Sequence, residues 1–160
     1  MIPHIASLIL LCGFVFAESG TELYVYGKSY HSNREYGFNE TNPGLGLGFY
    51  SRDNTSSNWF MTGQASVYYD SYRNYAKTIS VGPRYVLGDV NNWHVDGTIQ
   101  IGGVKTGIDN KSLRGFILPS VSVGYDRYNI HILYIPNEKD VGKEKDSSSV
   151  VAAFLRIRLN

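Results

Sequence analysis

The sequence has a single cysteine and almost no net charge, and both features narrow the classes of protein it can encode. Cys12 is the only thiol among 160 residues, so a disulfide within the chain and a zinc site built on several cysteines are excluded. The 15 lysines and arginines nearly balance the 14 aspartates and glutamates. A nucleic-acid-binding protein needs a concentrated basic surface, and nucleic acid is therefore not an expected partner.

Motifs for cofactors, metals and hydrolytic chemistry are also missing. The glycines of "GLGLG" at 44–48 are not followed by a helical pattern, as a dinucleotide site requires, and neither GxSxG nor HExxH occurs. His94 and His131 are better explained by a satisfied polar network than by a metal site. We expect no cofactor and no metal.

Long hydrophobic runs are absent as well, since the longest, from Ile5 to Phe16, has about 12 residues where a transmembrane helix needs roughly 20. This run ends in Val15-Phe16-Ala17, with small residues at the two positions that signal peptidase reads. The pattern predicts a secretory signal over residues 1–17 and one domain over 18–160. The alternative is a buried N-terminal strand or helix, because the segment before the run has no lysine or arginine.

What the chain does contain is 17 glycines and 13 tyrosines, with turn-forming clusters recurring along it. This composition indicates an all-β protein. Long polar connectors alternate with tight turns, as in transmembrane barrels that have an even number of strands. We therefore predict an eight-stranded antiparallel up-and-down transmembrane β-barrel. The predicted strands cover about 23–31, 43–52, 59–71, 77–87, 93–105, 116–126, 128–136 and 148–159.

Side-chain alternation supports a membrane barrel over a soluble one. In "WHVDGTIQIGGV" at 93–104 the odd positions are mostly apolar and the even positions mostly polar, which is the period-two pattern of a strand with lipid on one side and a polar interior on the other. Arg84, Asp96, Arg156 and Arg158 all fall on the face opposite the aliphatic residues. A soluble β-sandwich or lipocalin-like barrel is the alternative, but it would have to bury one of these two rows. In the first predicted strand, polarity alone does not show which face points inward.

Strand direction divides the predicted interior into two halves. The half nearer the chain start is predicted to be polar, comprising Gln64, Arg84, His94, Asp96, Asn129, His131, Arg156 and Arg158. The other half is predicted to be a pocket for hydrocarbon, because it is apolar and several of its residues are glycines. Its predicted members are Gly44, Gly46, Gly82, Val104, Phe116, Leu118, Leu133, Ile135, Val150 and Ala152. Alternatively, the glycines only allow twisted strands to pack closely.

Three polar side chains are expected at the open end of this pocket. His31 ends the first predicted strand, and Asp70 with Ser71 ends the third. Strands one and three run in the same direction, so both ends lie on one rim. A histidine, a carboxylate and a hydroxyl suit acyl transfer, because imidazole can take and return a proton near neutral pH. By itself the coincidence is weak, and each could be an ordinary polar loop residue.

Longer motifs resemble the PagP family of outer-membrane lipid A palmitoyltransferases. They are "SYHSNREYGFNETNPGLGLGF", "YYDSY" and "LPSVSVGYDRYNIHILYIPN", in this order, and the resemblance covers about 23–160. It implies that His31, Asp70 and Ser71 are catalytic and that Gly82 sets the accepted chain length. It also implies that Pro119 and Pro136 open a lateral gate for lipid, which is reasonable because proline removes a donor from the strand ladder.

The chain departs from the family in several places. Only "ESGTE" lies between the predicted signal and Leu23, so the family's N-terminal amphipathic helix is not expected. Tyr26 occupies the position of another gate proline, Phe38 replaces a tyrosine, and the chain ends in Asn160 rather than an aromatic residue. These differences bear on lipid entry, acceptor choice and membrane insertion.

The sequence thus predicts an acyltransferase that moves a palmitoyl-like chain from a glycerophospholipid to lipid A. We expect a monomer in the outer membrane, with its active site facing the outer leaflet. Ser71 is expected either to take the acyl group or to hydrogen-bond the ester carbonyl. Two alternatives remain: a non-catalytic OmpX-type barrel with an adhesive or structural role, and a lipid A deacylase.

Overall fold

A computed structural model describes residues 18–33, 37–52, 54–106, 113–138 and 148–159. The predicted signal over residues 1–17 lies outside the described residues. Within the described ranges the secondary structure is β-strand, and no helix is long and apolar enough to cross a membrane.

Eight antiparallel strands close into a barrel in chain order, with β1 hydrogen-bonded to both β2 and β8. Closure gives every strand two hydrogen-bonded neighbours, as a sheet that spans a bilayer requires. The predicted all-β, eight-stranded fold is confirmed. The strands are β1 (Glu18–His31), β2 (Thr41–Arg52), β3 (Trp59–Tyr69), β4 (Tyr75–Val90), β5 (Trp93–Lys105), β6 (Arg114–Tyr125), β7 (Tyr128–Glu138) and β8 (Ser148–Arg158).

Burial is the reverse of that in a soluble barrel. Aliphatic side chains point outward, with Leu45 61% and Ile79 63% exposed, whereas Arg84 and Arg156 are 1% and 0% exposed. An outer surface this apolar needs lipid around it, and the buried charges need the interior partners described below. The soluble-barrel alternative is therefore excluded.

Aromatic residues mark both edges of the apolar surface. At the end of the barrel where β3 and β5 begin, Trp59 packs against Tyr85 and Trp93 packs against Tyr125. At the other end, Tyr69 packs against Tyr75. The 11 residues of β3 connect the two girdles. At about 3.4 Å per residue and a tilt of about 40° they rise about 28 Å, close to the apolar band of a bacterial outer-membrane barrel.

A β-bulge in β1 explains why its faces could not be assigned from the sequence. The pairing of β1 shifts by one residue between Tyr26 and Lys28 against both neighbouring strands. A bulge reverses the in–out parity of the residues that follow it. Tyr24 and Tyr26 therefore contact interior residues on one side of the bulge, and His31 is buried on the other.

An ion-pair network fills one half of the interior. Glu22 receives two hydrogen bonds from Arg84, at 2.9 and 2.8 Å, and lies 3.6 Å from Arg156. Arg156 also donates to Asp96 at 2.8 Å. The predicted inward residues Arg84, Asp96 and Arg156 thus contact one another through Glu22 and direct ion pairs. Glu22 was not predicted, because polarity does not assign the faces of the first strand. We call these four residues the ionic plug.

Candidate active site

Asp70 and Ser71 lie in the tight turn between β3 and β4, because β3 ends at Tyr69 rather than at residue 71 as predicted. One carboxylate oxygen of Asp70, Oδ1, accepts hydrogen bonds from the backbone N–H groups of Tyr72 (2.9 Å) and Asn74 (2.8 Å). An aspartate that caps its own turn in this way stops the strand. The other oxygen, Oδ2, is buried and has no hydrogen-bond partner in the described part of the chain.

His31 lies at the same end of the barrel and is also buried. Its ring stacks on Phe38 with centroids 4.6 Å apart, and Phe38 in turn meets the edge of Tyr72 at 5.6 Å. The Nδ1 atom of His31 has no partner among the described residues. Over those same residues, no hydrogen bond or ion pair joins His31 to Asp70.

The segment before β2 and the start of β2 itself connect the two parts of this rim. The backbone N–H of Asn39 donates to the Ser71 carbonyl at 2.9 Å, and its side-chain amide donates to the Asp70 carbonyl at 3.1 Å. Asn42 accepts from the Ser29 hydroxyl at 2.6 Å and donates to the Tyr69 carbonyl at 3.0 Å. Sequence reasoning missed both asparagines and the ring contact of Phe38. A cluster of Asn residues before a strand is a turn signal, but it does not show which turn the cluster will contact.

Below this rim the barrel encloses a cavity of about 230 Å³. Asp70 and Ser71 line it, with polar residues of β1 to β4 on one side. The opposite wall is apolar and contains the predicted pocket residues Phe116, Leu118, Leu133 and Ile135, with Val104, Val150 and Ala152. His31 does not line the cavity. A hydrocarbon chain entering at the turn would therefore meet an apolar wall along one side.

Tyr26 forms part of the cavity wall. Its ring stacks on Tyr68 at 5.0 Å and on Phe154 at 5.2 Å, and its hydroxyl lies 3.0 Å from the Ser66 hydroxyl. Tyr26 thus reaches from β1 across to β3. Gln64, which was predicted for the polar half, lines the cavity as well.

The three predicted pocket glycines do not line the cavity. Gly44 and Gly46 lie against β3, where an added Cβ would meet Tyr68 and Ser66. The Gly82 carbonyl accepts from Thr62, which in turn accepts from Gln100, a residue of the cavity lining. An added Cβ at Gly82 would meet the Ile99 backbone. Gly82 therefore lies where β4 and β5 approach closely, directly beside Gln100.

The wall of the barrel has a gap next to the cavity. Within the described residues, β6 and β7 are paired only from Ser120–Leu133 to Tyr125–Tyr128, although β6 stays paired with β5 as far as Arg114. Pro119 is the first residue of β6 beyond the last pair, and Pro136 lies in the facing part of β7. Leu118 and Ile135, one on each side of the gap, both line the cavity. We call this unpaired stretch the β6–β7 slot.

The sequence matches the family described as "Antimicrobial peptide resistance and lipid A acylation protein PagP" over residues 14–146. The chain belongs to this family. It is accordingly a PagP-like lipid A acylation protein of the outer membrane that acts on lipid substrates. Membership agrees with an interior cavity bordered by hydrocarbon side chains, which a purely structural barrel of this size would fill.

The comparison with curated proteins finds no match. Among solved structures, the chain is similar to one described as "Backbone structure of the Yersinia pestis outer membrane protein Ail in phospholipid bilayer nanodisc". The two share 14% sequence identity with a TM-score of 0.43, over 88% of this chain and 100% of the other.

Proposed function

We propose that the protein transfers a fatty acyl chain from a glycerophospholipid to a hydroxyl group of lipid A, with the His31 and Asp70 end facing the outer leaflet. The observation that carries this proposal is the cavity that has an apolar wall and the Asp70–Ser71 turn at its mouth. Burying an acyl chain there would contribute about 0.8 kcal/mol per methylene. The site is assembled within one chain, which supports a monomer.

His31 is assigned the role of general base. Its imidazole takes the proton of the acceptor hydroxyl, whose oxygen attacks the carbonyl carbon of the donor ester. The bond from that carbon to the glycerol oxygen then breaks, and the imidazolium returns the proton to the glycerol oxygen. The reaction exchanges one ester for another and consumes no water.

Asp70 is assigned the role of stabilising the positive charge that develops on His31. Its Oδ1 is committed to the turn, whereas its buried Oδ2 has no partner in the described residues. A carboxylate without a counterion at this end of the barrel favours a nearby imidazolium by Coulomb attraction. This role needs no hydrogen bond between the two side chains.

Ser71 is assigned to the ester carbonyl rather than to a covalent intermediate. A serine nucleophile needs a base hydrogen-bonded to its hydroxyl, and the described residues include no such bond to Ser71. A hydroxyl at the cavity mouth can instead donate to the carbonyl oxygen as negative charge develops on it.

The donor is proposed to enter through the β6–β7 slot, which opens the wall next to the apolar side of the cavity. Pro119 and Pro136 maintain the slot because neither can donate a ladder hydrogen bond. An acyl chain passing between these strands would reach Leu118 and Ile135 without crossing water.

Mass spectrometry of lipid A from cells expressing the chain tests the proposal. The expected result is a gain of one acyl chain, and His31→Ala should remove that gain while leaving a barrel that still shifts on heating in gel electrophoresis. His94→Gln is a matched control, because it replaces an imidazole in the opposite half of the interior. Full acylation by His31→Ala would contradict the assignment. Unchanged lipid A would favour the OmpX-type alternative, and loss of one chain would favour a deacylase.

A further inference from the structure

Lys77 and Lys105 stand side by side on the outer wall of the barrel. They are direct partners in the ladder between β4 and β5, and both are exposed. Thr78 follows Lys77, and Val104 precedes Lys105. Both neighbours line the cavity, so the two lysines point to the lipid side. Residues paired in this way have Cβ atoms about 5 Å apart.

The two ammonium groups have no counter-charge within the described ranges. Neither lysine takes part in an ion pair or hydrogen bond there. Lys77 pairs on its other side with Val67, which is apolar and exposed. Like charges placed directly opposite each other destabilise a sheet, and an anion bound between them would turn that repulsion into attraction.

Their height on the barrel indicates the kind of anion. Tyr75, two residues before Lys77, is 69% exposed and belongs to the aromatic girdle at the active-site end. Lysines just inside a girdle extend their ammonium groups to the level of the lipid headgroups. The anionic group of a membrane lipid at that level is its phosphate.

The pair also lies directly beside the proposed reaction centre. The turn that carries Asp70 and Ser71 leads straight into β4, and Lys77 is the third residue of that strand. The β5–β6 ladder separates the β4–β5 ladder, which carries the lysines, from the β6–β7 slot, which is proposed for the donor. The lysine pair is therefore suited to the second substrate.

We propose that Lys77 and Lys105 form a phosphate site for the lipid A acceptor, which holds the acceptor hydroxyl next to the Asp70–Ser71 turn. This inference rests on the proposed function, because only a two-substrate transfer needs an acceptor site.

The test measures lipid binding to the purified barrel in detergent by native mass spectrometry, without any reaction. Lipid A with its phosphates, lipid A with the phosphates removed, and phosphatidylglycerol are titrated separately. Each lysine near a membrane surface contributes about fivefold in affinity, so Lys77→Gln/Lys105→Gln should bind phosphorylated lipid A about 25-fold more weakly. Binding of the dephosphorylated form should not change.

The control is Arg127→Gln, which removes an exposed cation that lies 3.9 Å from Asp126 at the opposite end of the barrel. It should leave binding of phosphorylated lipid A unchanged. Equal binding by the double variant and the unmodified protein would overturn the proposal. An equal loss of phosphatidylglycerol binding would assign the pair to the donor, and displacement of lipid A by millimolar inorganic phosphate would reduce it to a simple anion site; either result also overturns the proposal.

The binding and transfer measurements separate this inference from the proposed function. In a transfer assay the double variant should raise the KM for phosphorylated lipid A and leave kcat unchanged. Lysine-dependent binding without any transfer would contradict the proposed function but keep the phosphate site. Transfer combined with lysine-independent binding would support the proposed function and contradict the phosphate site.

Discussion

At the scale of single residues, Tyr26 places a large ring in the wall of the interior cavity. Its ring lies between Tyr68 and Phe154, and its hydroxyl meets Ser66 on the facing strand. The resemblance implies a proline at this position in the family and assigns chain-length control to Gly82. In this chain the Tyr26 side chain lines the cavity, whereas Gly82 does not and lies behind Gln100, a residue of the lining. Tyr26 is thus better placed than Gly82 to limit how far an acyl chain can enter.

Replacing Tyr26 by alanine should therefore shift transfer toward longer acyl chains. Removal of the ring extends the cavity toward the ionic plug, and each further methylene buried is favourable by about 0.8 kcal/mol. The measurement is the mass distribution of acyl chains added to lipid A. Tyr26→Phe serves as the control, since it keeps the ring and loses only the hydroxyl contact. An identical chain distribution for Tyr26→Ala and Tyr26→Phe would show that the ring does not limit chain length.

Period-two alternation was enough to predict most inward residues. Arg84, Asp96 and Arg156 meet in the interior, and Phe116 with Leu118 lines the cavity. Alternation failed where the backbone itself breaks the period. The bulge in β1 depends on pairing with two other strands, so the inward positions of Glu22 and His31 have no signal in the sequence of β1 alone.

At the scale of elements, the β6–β7 slot is the irregularity on which the proposed lipid entry depends. β6 and β7 separate beyond Ser120 and Leu133 while each keeps its other neighbour. The barrel therefore stays closed on one half of this seam and opens on the other. Under the proposed function, an acyl chain would enter from the bilayer through this slot without unfolding of a strand.

Linking Leu118 to Ile135 should close the slot and stop transfer. We expect Leu118→Cys/Ile135→Cys, made with Cys12→Ser, to lose acylation of lipid A when bridged by a short bifunctional thiol reagent and to keep it when unbridged. The readout is transfer from phospholipid vesicles before and after bridging. Val123→Cys/Ile130→Cys is the matched control, because this pair already lies opposite in the closed part of the ladder. Undiminished transfer by the bridged Leu118–Ile135 variant would rule out entry at this seam.

Strand number, order and approximate bounds were predictable because turn residues separate the strands clearly. The end of β3 was not, since the tyrosines before and after Asp70 continue the strand-like composition. The carboxylate decides the boundary by capping the backbone of its own turn. Composition alone does not distinguish an aspartate that ends a strand from one that points into the barrel.

At the scale of the whole molecule, the two halves of the interior differ in how they are filled. The ionic plug occupies one half with paired charges, and the cavity leaves the other half available for a ligand. The polar half and the apolar wall were both predictable from strand direction. The shape of the cavity was not, because it depends on where long side chains such as Tyr26 reach across the barrel.

The plug gives the barrel a stability that should depend strongly on Glu22. This carboxylate is shared by Arg84 and Arg156, and Glu22→Gln leaves two buried cations with only Asp96 to balance them. Removing one partner from a buried ion pair costs about 3–5 kcal/mol. We expect the free energy of unfolding to fall by that amount in guanidinium titrations of the detergent-folded barrel, followed by tryptophan fluorescence.

Glu18 provides the comparison, because it lies on the same strand as Glu22 and also pairs with an arginine, Arg52. Unlike Glu22, it is partly exposed to solvent. Water screens this pair, so Glu18→Gln should lower the free energy of unfolding by less than about 1 kcal/mol. Equal effects of the two substitutions would mean that water reaches the plug. In that case the polar half would not act as a closed floor, and an acyl chain in the cavity would end against a hydrated channel rather than a dry network of charges.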